Sequence, residues 1–145
     1  MAVAEYLEET RPDSKKLLPE DPLARFKVRR LCEVINAGTQ PIQNLGVLKR
    51  IEAIGGDKLA WAKETNQKGL ETFETLLKET AGKYCVGDEV TLADAFLIPQ
   101  LYNAMRFGLE EATEFPTIHK VAEALRQLPE FEKAHCDNQS DAVAS

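Results

Sequence analysis

Thr91-Leu92-Ala93-Asp94-Ala95-Phe96-Leu97-Ile98 opens the apolar stretch on which the fold turns. A threonine at a helix start can cap the first turn with its hydroxyl. An acidic residue three positions later can accept the threonine's own backbone N–H. Together they form a capping box, with Asp94 where Glu or Gln is commoner. The residues that follow are apolar nearly all round, through Leu101. A helix without a polar face is normally buried. The stretch therefore predicts a central helix from Leu92 to about Phe107, around which the other helices pack. It gives Asp94 a structural role rather than a catalytic one. On this reading Asp94→Ala costs roughly 1–3 kcal/mol, because a buried helix-start donor loses its acceptor. Pro99 predicts a kink in this helix, and Gly108 its end.

Upstream, Gly55-Gly56-Asp57 announces a long helix from about Asp57 to Thr80, with Leu59, Ala62, Leu70, Phe73 and Leu77 on one face. Asp21-Pro22 is an N-cap followed by a first-turn proline; Val28, Leu31, Cys32 and Ile35 continue at helical spacing. Residues 1–10 read as a short helix with Val3, Tyr6 and Leu7 on one face, and 11–20 as a linker. No capping signal precedes this helix, so the sequence reads as starting inside an element. Downstream, Pro116 starts a helix with Ile118, Val121, Ala122, Leu125 and Leu128 in a stripe, and 130–135 forms a last short one. The organisation expected is thus a leading helix and linker at 1–20, an all-α bundle of five to six helices at 21–136, and a disordered polar tail at 137–145.

A chain of 145 residues with 43% apolar residues has enough material for one core. A net charge of −6 offers no basic face to nucleic acid or to an anionic membrane. No apolar run approaches the roughly 18 residues of a membrane span. Three scattered cysteines, Cys32, Cys85 and Cys136, form no C-x-x-C pair, so neither a zinc site nor a disulfide framework is expected, and reduced cysteines suit a cytoplasmic setting. His119 and His135 stand alone as sequence signals. Gln40, Gln43 and Asn44 are three and four apart and share a face if their segment is helical. Amides both donate and accept, which suits a polar ligand such as a peptide.

The run Tyr84-Cys85-Val86-Gly87-Asp88-Glu89-Val90-Thr91-Leu92-Ala93-Asp94 resembles the C-terminal helical domain of glutathione transferases. Gln40-Pro41-Ile42-Gln43-Asn44-Leu45-Gly46-Val47-Leu48 is narrower and resembles the zeta class. So do the Ala2–Pro12 start, Leu17-Leu18-Pro19, Pro116-Thr117-Ile118 and Leu128-Pro129-Glu130-Phe131. The resemblance implies a two-domain lineage in which a thioredoxin-like domain precedes the helical one, and this chain matches the second. It implies glutathione contacts at Gln40, Asn44, Leu45 and Gly46, with Gly46 replacing an expected serine. It implies that Arg106 binds the carboxylates of an acidic substrate, a task suited to a bidentate guanidinium. The implied activity is maleylacetoacetate isomerisation in tyrosine and phenylalanine breakdown, with glutathione as cofactor and a homodimer as the assembly. The Ser-Ser-Cys motif associated with thiol activation does not occur in this sequence. No catalytic residue is therefore assigned, and little turnover is expected from these residues alone. A non-catalytic helical module that holds a ligand or a partner is the alternative.

Overall fold

The computed structural model describes residues 1–142, and the end of the expected tail, 143–145, lies outside the described residues. Eight α-helices follow in order: α1 Ala2–Thr10, α2 Pro22–Asn36, α3 Leu45–Ala53, α4 Lys58–Leu77, α5 Leu92–Arg106, α6 Glu111–Glu114, α7 Pro116–Arg126 and α8 Pro129–Ala134. Two 3-10 turns, Gln40–Ile42 and Cys136–Asn138, complete them. No strand occurs among the described residues. The bundle α2 to α8 has one helix more than the sequence suggests, because the single turn α6 is too short to show a periodicity.

Helix α5 packs against α2 and α4, and α4 in turn meets α2, α3 and α7. The inner face of α5 is Leu92, Ala93, Leu97, Leu101 and Ala104, each at most 5% exposed. They close on Val28, Leu31, Cys32, Phe73, Leu77 and Ile118. The expectation that the first half of α5 is buried all round is corrected here at Ala95 and Pro99, whereas exposure of its second half agrees with the amphipathic character expected around Asn103 and Arg106. Ala95, Pro99, Tyr102 and Arg106 recur every three or four residues and are exposed. This apolar-looking helix therefore has one uncovered face. Pro99 cannot donate to the Ala95 carbonyl, yet α5 runs through it unbroken. Both residues lie on the exposed side, where solvent can serve that carbonyl.

The start of α5 is fastened by Asp94, which is fully buried. Its Oδ2 accepts the Thr91 N–H at 2.7 Å and the Thr91 hydroxyl at 2.9 Å. Its Oδ1 accepts the Cys85 N–H at 2.9 Å. One carboxylate thus closes the box and also holds the incoming loop, whose turn uses Gly87 at φ +70, a conformation that favours glycine. The Leu92 N–H donates to the Leu17 carbonyl at 2.9 Å, which ties the linker to the same point.

Two further carboxylates join distant elements. Glu74 on α4 accepts the N–H groups of Thr117 and Ile118 at 3.0 and 2.8 Å, and so caps α7, which has no side-chain cap of its own. Glu111 of α6 takes the Arg126 guanidinium in bidentate fashion and lies 3.1 Å from His119 Nδ1. Burial pushes the Glu111 carboxyl up, but Arg126 and His119 outweigh it and hold it below the usual carboxylate range.

Candidate functional site

The segment between α2 and α4 is two elements rather than one helix. Pro41 sits inside the 3-10 turn, and the chain restarts at Asn44, whose backbone is extended (φ −68, ψ 162). Asn44 Oδ1 accepts the Val47 N–H at 3.1 Å, and its Nδ2 donates to the Pro41 carbonyl at 2.8 Å. Asn44 is thus the N-cap of α3. Most of its hydrogen-bonding capacity is spent locally. The first-turn N–H groups of Leu45 and Gly46 have no acceptor among the described residues. Their dipoles give this end of α3 a partial positive charge.

Gln43 lines the same cleft as Gln40 and Asn44 but, unlike them, is buried. It is 5% exposed and points inward. Its Oε1 accepts Asn103 Nδ2 of α5 at 2.8 Å and lies 3.5 Å from Asn66 Nδ2 of α4. Asn66 also receives Gln100 Nε2 at 2.5 Å and donates to the Ala62 carbonyl at 2.8 Å. Four amides from three elements form this relay, and no buried side-chain polar atom among the described residues is left without a partner. Trp61 adds a fourth tie, its indole N–H donating to the Ile42 carbonyl at 3.0 Å. The relay fixes α3 at a set position against α5.

Between them lies a cleft of about 960 Å³. Gln40, Asn44, Leu45 and Gly46 line one wall. Phe96, Pro99, Asn103 and Arg106 of α5 line the other. The five residues singled out for glutathione and for an acidic substrate therefore face one space. Gln40, Asn44, Leu45, Gly46 and Arg106 are all exposed. No Asp or Glu lines the cleft, and among the described residues Arg106 has neither hydrogen-bond nor ion-pair partner. In a chain of net charge −6, this is a locally positive, partly apolar groove. Its chemistry fits a ligand carrying carboxylates on a carbon skeleton.

The buried thiols take no part. Burial pushes the Cys32 thiol up to about 12, helped by Glu33. Burial also raises Cys85 well above its ordinary value, and Asp94 adds to this. Neither is a nucleophile at neutral pH. What sequence reasoning missed at the site is the inward turn of Gln43 and its links to Asn66, Gln100 and Asn103. Contacts between residues 23 to 60 positions apart leave no local pattern.

The chain matches the family profile for the glutathione S-transferase C-terminal domain over residues 55–133, and it belongs to that family. Among curated relatives, maleylacetoacetate isomerase of Rattus norvegicus is 44% identical over 144 residues, which is 99% of this chain and 65% of the relative. The chain thus spans about two thirds of the length of such relatives. A crystal structure of maleylacetoacetate isomerase from Anaeromyxobacter dehalogenans 2CP-1, with dicarboxyethyl glutathione and citrate in its active site, superposes with a TM-score of 0.92. It is 45% identical, and the match covers 99% of this chain and 64% of that one. A holo structure of maleylpyruvate isomerase, a bacterial zeta-class glutathione S-transferase, matches 98% of this chain and 69% of its own at 33% identity, TM-score 0.90. Among the described residues no helix is long and apolar enough to cross a membrane.

Proposed function

We propose that these 145 residues are the substrate-side part of a zeta-class, maleylacetoacetate isomerase-like enzyme. The observation that carries the reading is the unpartnered Arg106 guanidinium across the cleft from the free N–H groups of Leu45 and Gly46. Together they offer two separated anchors for carboxylates. In the reaction implied, a glutathione thiolate would add to a conjugated double bond, the resulting single bond would rotate, and elimination would expel the thiolate and restore the double bond. Arg106 holds the substrate's carboxylate while the bond turns. The start of α3 and Gln40 hold part of glutathione. Lowering the thiol's pKa requires a donor or positive charge at the sulfur, and this is assigned to residues outside this chain. The relatives' names and bound ligands support the isomerase lineage over a non-catalytic module. A homodimer is part of the proposal, supported by Leu23 and Phe26 of α2, which are 61% and 54% exposed.

The test is calorimetric titration of the chain with glutathione. Gln40 and a free N–H group at the start of α3 contribute about two neutral hydrogen bonds of about 0.5–1.5 kcal/mol each, against at least about 4 kcal/mol lost on association. Binding no tighter than about millimolar is expected. Micromolar binding would place the whole glutathione site within these residues and overturn the division.

A further inference from the structure

Away from the cleft, the turn after α8 brings three unlike metal-ligand side chains together. His135, Cys136 and Asp137 are all exposed, and one ligand atom from each lies within 4.8 Å of the others. His135 Nδ1 is 3.6 Å from Asp137 Oδ2. Cys136 Sγ is 3.5 Å from Asp137 Oδ1. The 3-10 turn Cys136–Asn138 produces this, by gathering three successive side chains that an extended strand would alternate. A tetrahedral zinc ion, with sulfur at about 2.3 Å and N or O at about 2.0 Å, sets its ligands about 3.3–3.5 Å apart. Two of the separations, Nδ1 to Oδ2 and Sγ to Oδ1, are within a few tenths of an ångström of that; they involve different Asp137 oxygens, so the three ligands must close up on the ion from their 4.8 Å range.

Two contacts orient the imidazole. Nδ1 accepts the Asp137 N–H at 3.3 Å, so its lone pair faces the turn, in a long bond that an ion would replace. Tyr102 of α5 packs edge-on against the ring with centroids 5.5 Å apart. No Lys or Arg side chain bonds to the three among the described residues. The contrast is Glu111, His119 and Glu123, also within ligand range of one another. There the Arg126 guanidinium fills both Glu111 oxygens and repels a cation.

We propose that His135, Cys136 and Asp137 form a surface site for a borderline divalent cation of the zinc kind, through one thiolate, one imidazole and one carboxylate, with a fourth position open. Binding expels the Cys136 thiol proton to solvent. It would also pin the turn against Tyr102. The sequence showed no metal signature because the three ligands are contiguous rather than spaced as paired motifs.

The experiment is titration of the reduced chain with Co²⁺, followed by thiolate-to-cobalt charge-transfer absorption. Cys32 and Cys85 are 0% exposed, so Cys136 alone can supply that band. One Co²⁺ per chain is expected, displaced by Zn²⁺. Cys136→Ser should abolish the band. His135→Ala and Asp137→Ala should each weaken binding by about tenfold or more. All three positions are exposed, and unchanged far-UV circular dichroism confirms folding. No band at a large excess of cobalt overturns the proposal, and so does a band that survives Cys136→Ser. A band lost in Cys136→Ser but indifferent to both other variants reduces the site to a lone thiol and also overturns it.

Discussion

Replacing Asp94 by alanine removes one carboxylate and strands two backbone donors. The N–H groups of Thr91 and Cys85 belong to residues 3% and 0% exposed, so water cannot take the carboxylate's place. A buried unsatisfied donor costs about 1–3 kcal/mol, giving about 2–6 kcal/mol for the pair. Reorientation of the Thr91 hydroxyl and slight movement of the loop recover part of this. The expected loss is about 3–5 kcal/mol, above the roughly 1–3 kcal/mol expected from the box alone, because the structure adds Cys85 as a second donor. That is a large share of a typical stability of about 5–15 kcal/mol. Urea melts followed by circular dichroism and by the single tryptophan, Trp61, measure it. Thr91→Val removes only the hydroxyl and should cost about 1 kcal/mol. A loss for Asp94→Ala under about 0.5 kcal/mol, the range of ordinary surface changes, would refute the reasoning.

Glu74→Gln should cost about 1–2 kcal/mol by weakening the cap on α7. Burial pushes the Glu74 carboxyl up, but bonds from Thr117 and Ile118 outweigh it and hold it low. Its contribution is therefore present above the ordinary carboxylate value of about 4.3 and lost as pH falls through the lower folded value. Wild type should lose this increment on acidification in urea melts, and Glu74→Gln should show a flatter profile over the same range. Arg126→Leu leaves Glu111 buried and short of its cation; since Arg126 is partly exposed, about 1–3 kcal/mol is expected in the same melts. A thiol reagent should find one fast cysteine, Cys136, in the folded chain and three in denaturant; two fast thiols in the folded chain would contradict the burial of Cys32 and Cys85.

The central helix was legible because its signals are local: a Thr and an Asp three apart, then an apolar run. The same locality explains the N-caps at Asp21 and Asp57. The uncovered face of α5 was not legible, since Ala95, Pro99 and Tyr102 are as apolar as their buried neighbours. Only the packing of α2 and α4 decides which side is closed. The polar residues of the 40–48 segment keep helical spacing, which by itself suits a single helix. Pro41 and the Asn44 cap divide it, and Gln43 turns inward to partners on α4 and α5. Glu74 capping α7 joins residues 43 and 44 positions apart, which no periodicity records. The cleft itself gathers residues from two ends of the bundle. Its members came from a family resemblance, and their meeting in one space came from the fold.

The most direct test joins this chain to the part of its relatives that it does not cover and assays glutathione-dependent isomerisation of maleylacetoacetate, with and without Arg106→Leu. The account predicts turnover in the joined protein and negligible turnover in the chain alone. It further predicts that Arg106→Leu raises KM for a dicarboxylate substrate at least about tenfold, the loss of one charged hydrogen-bonding partner, while a neutral thiol acceptor is hardly affected. Equal effects on both substrates, or turnover by the isolated chain at a rate near that of the joined protein, would contradict it.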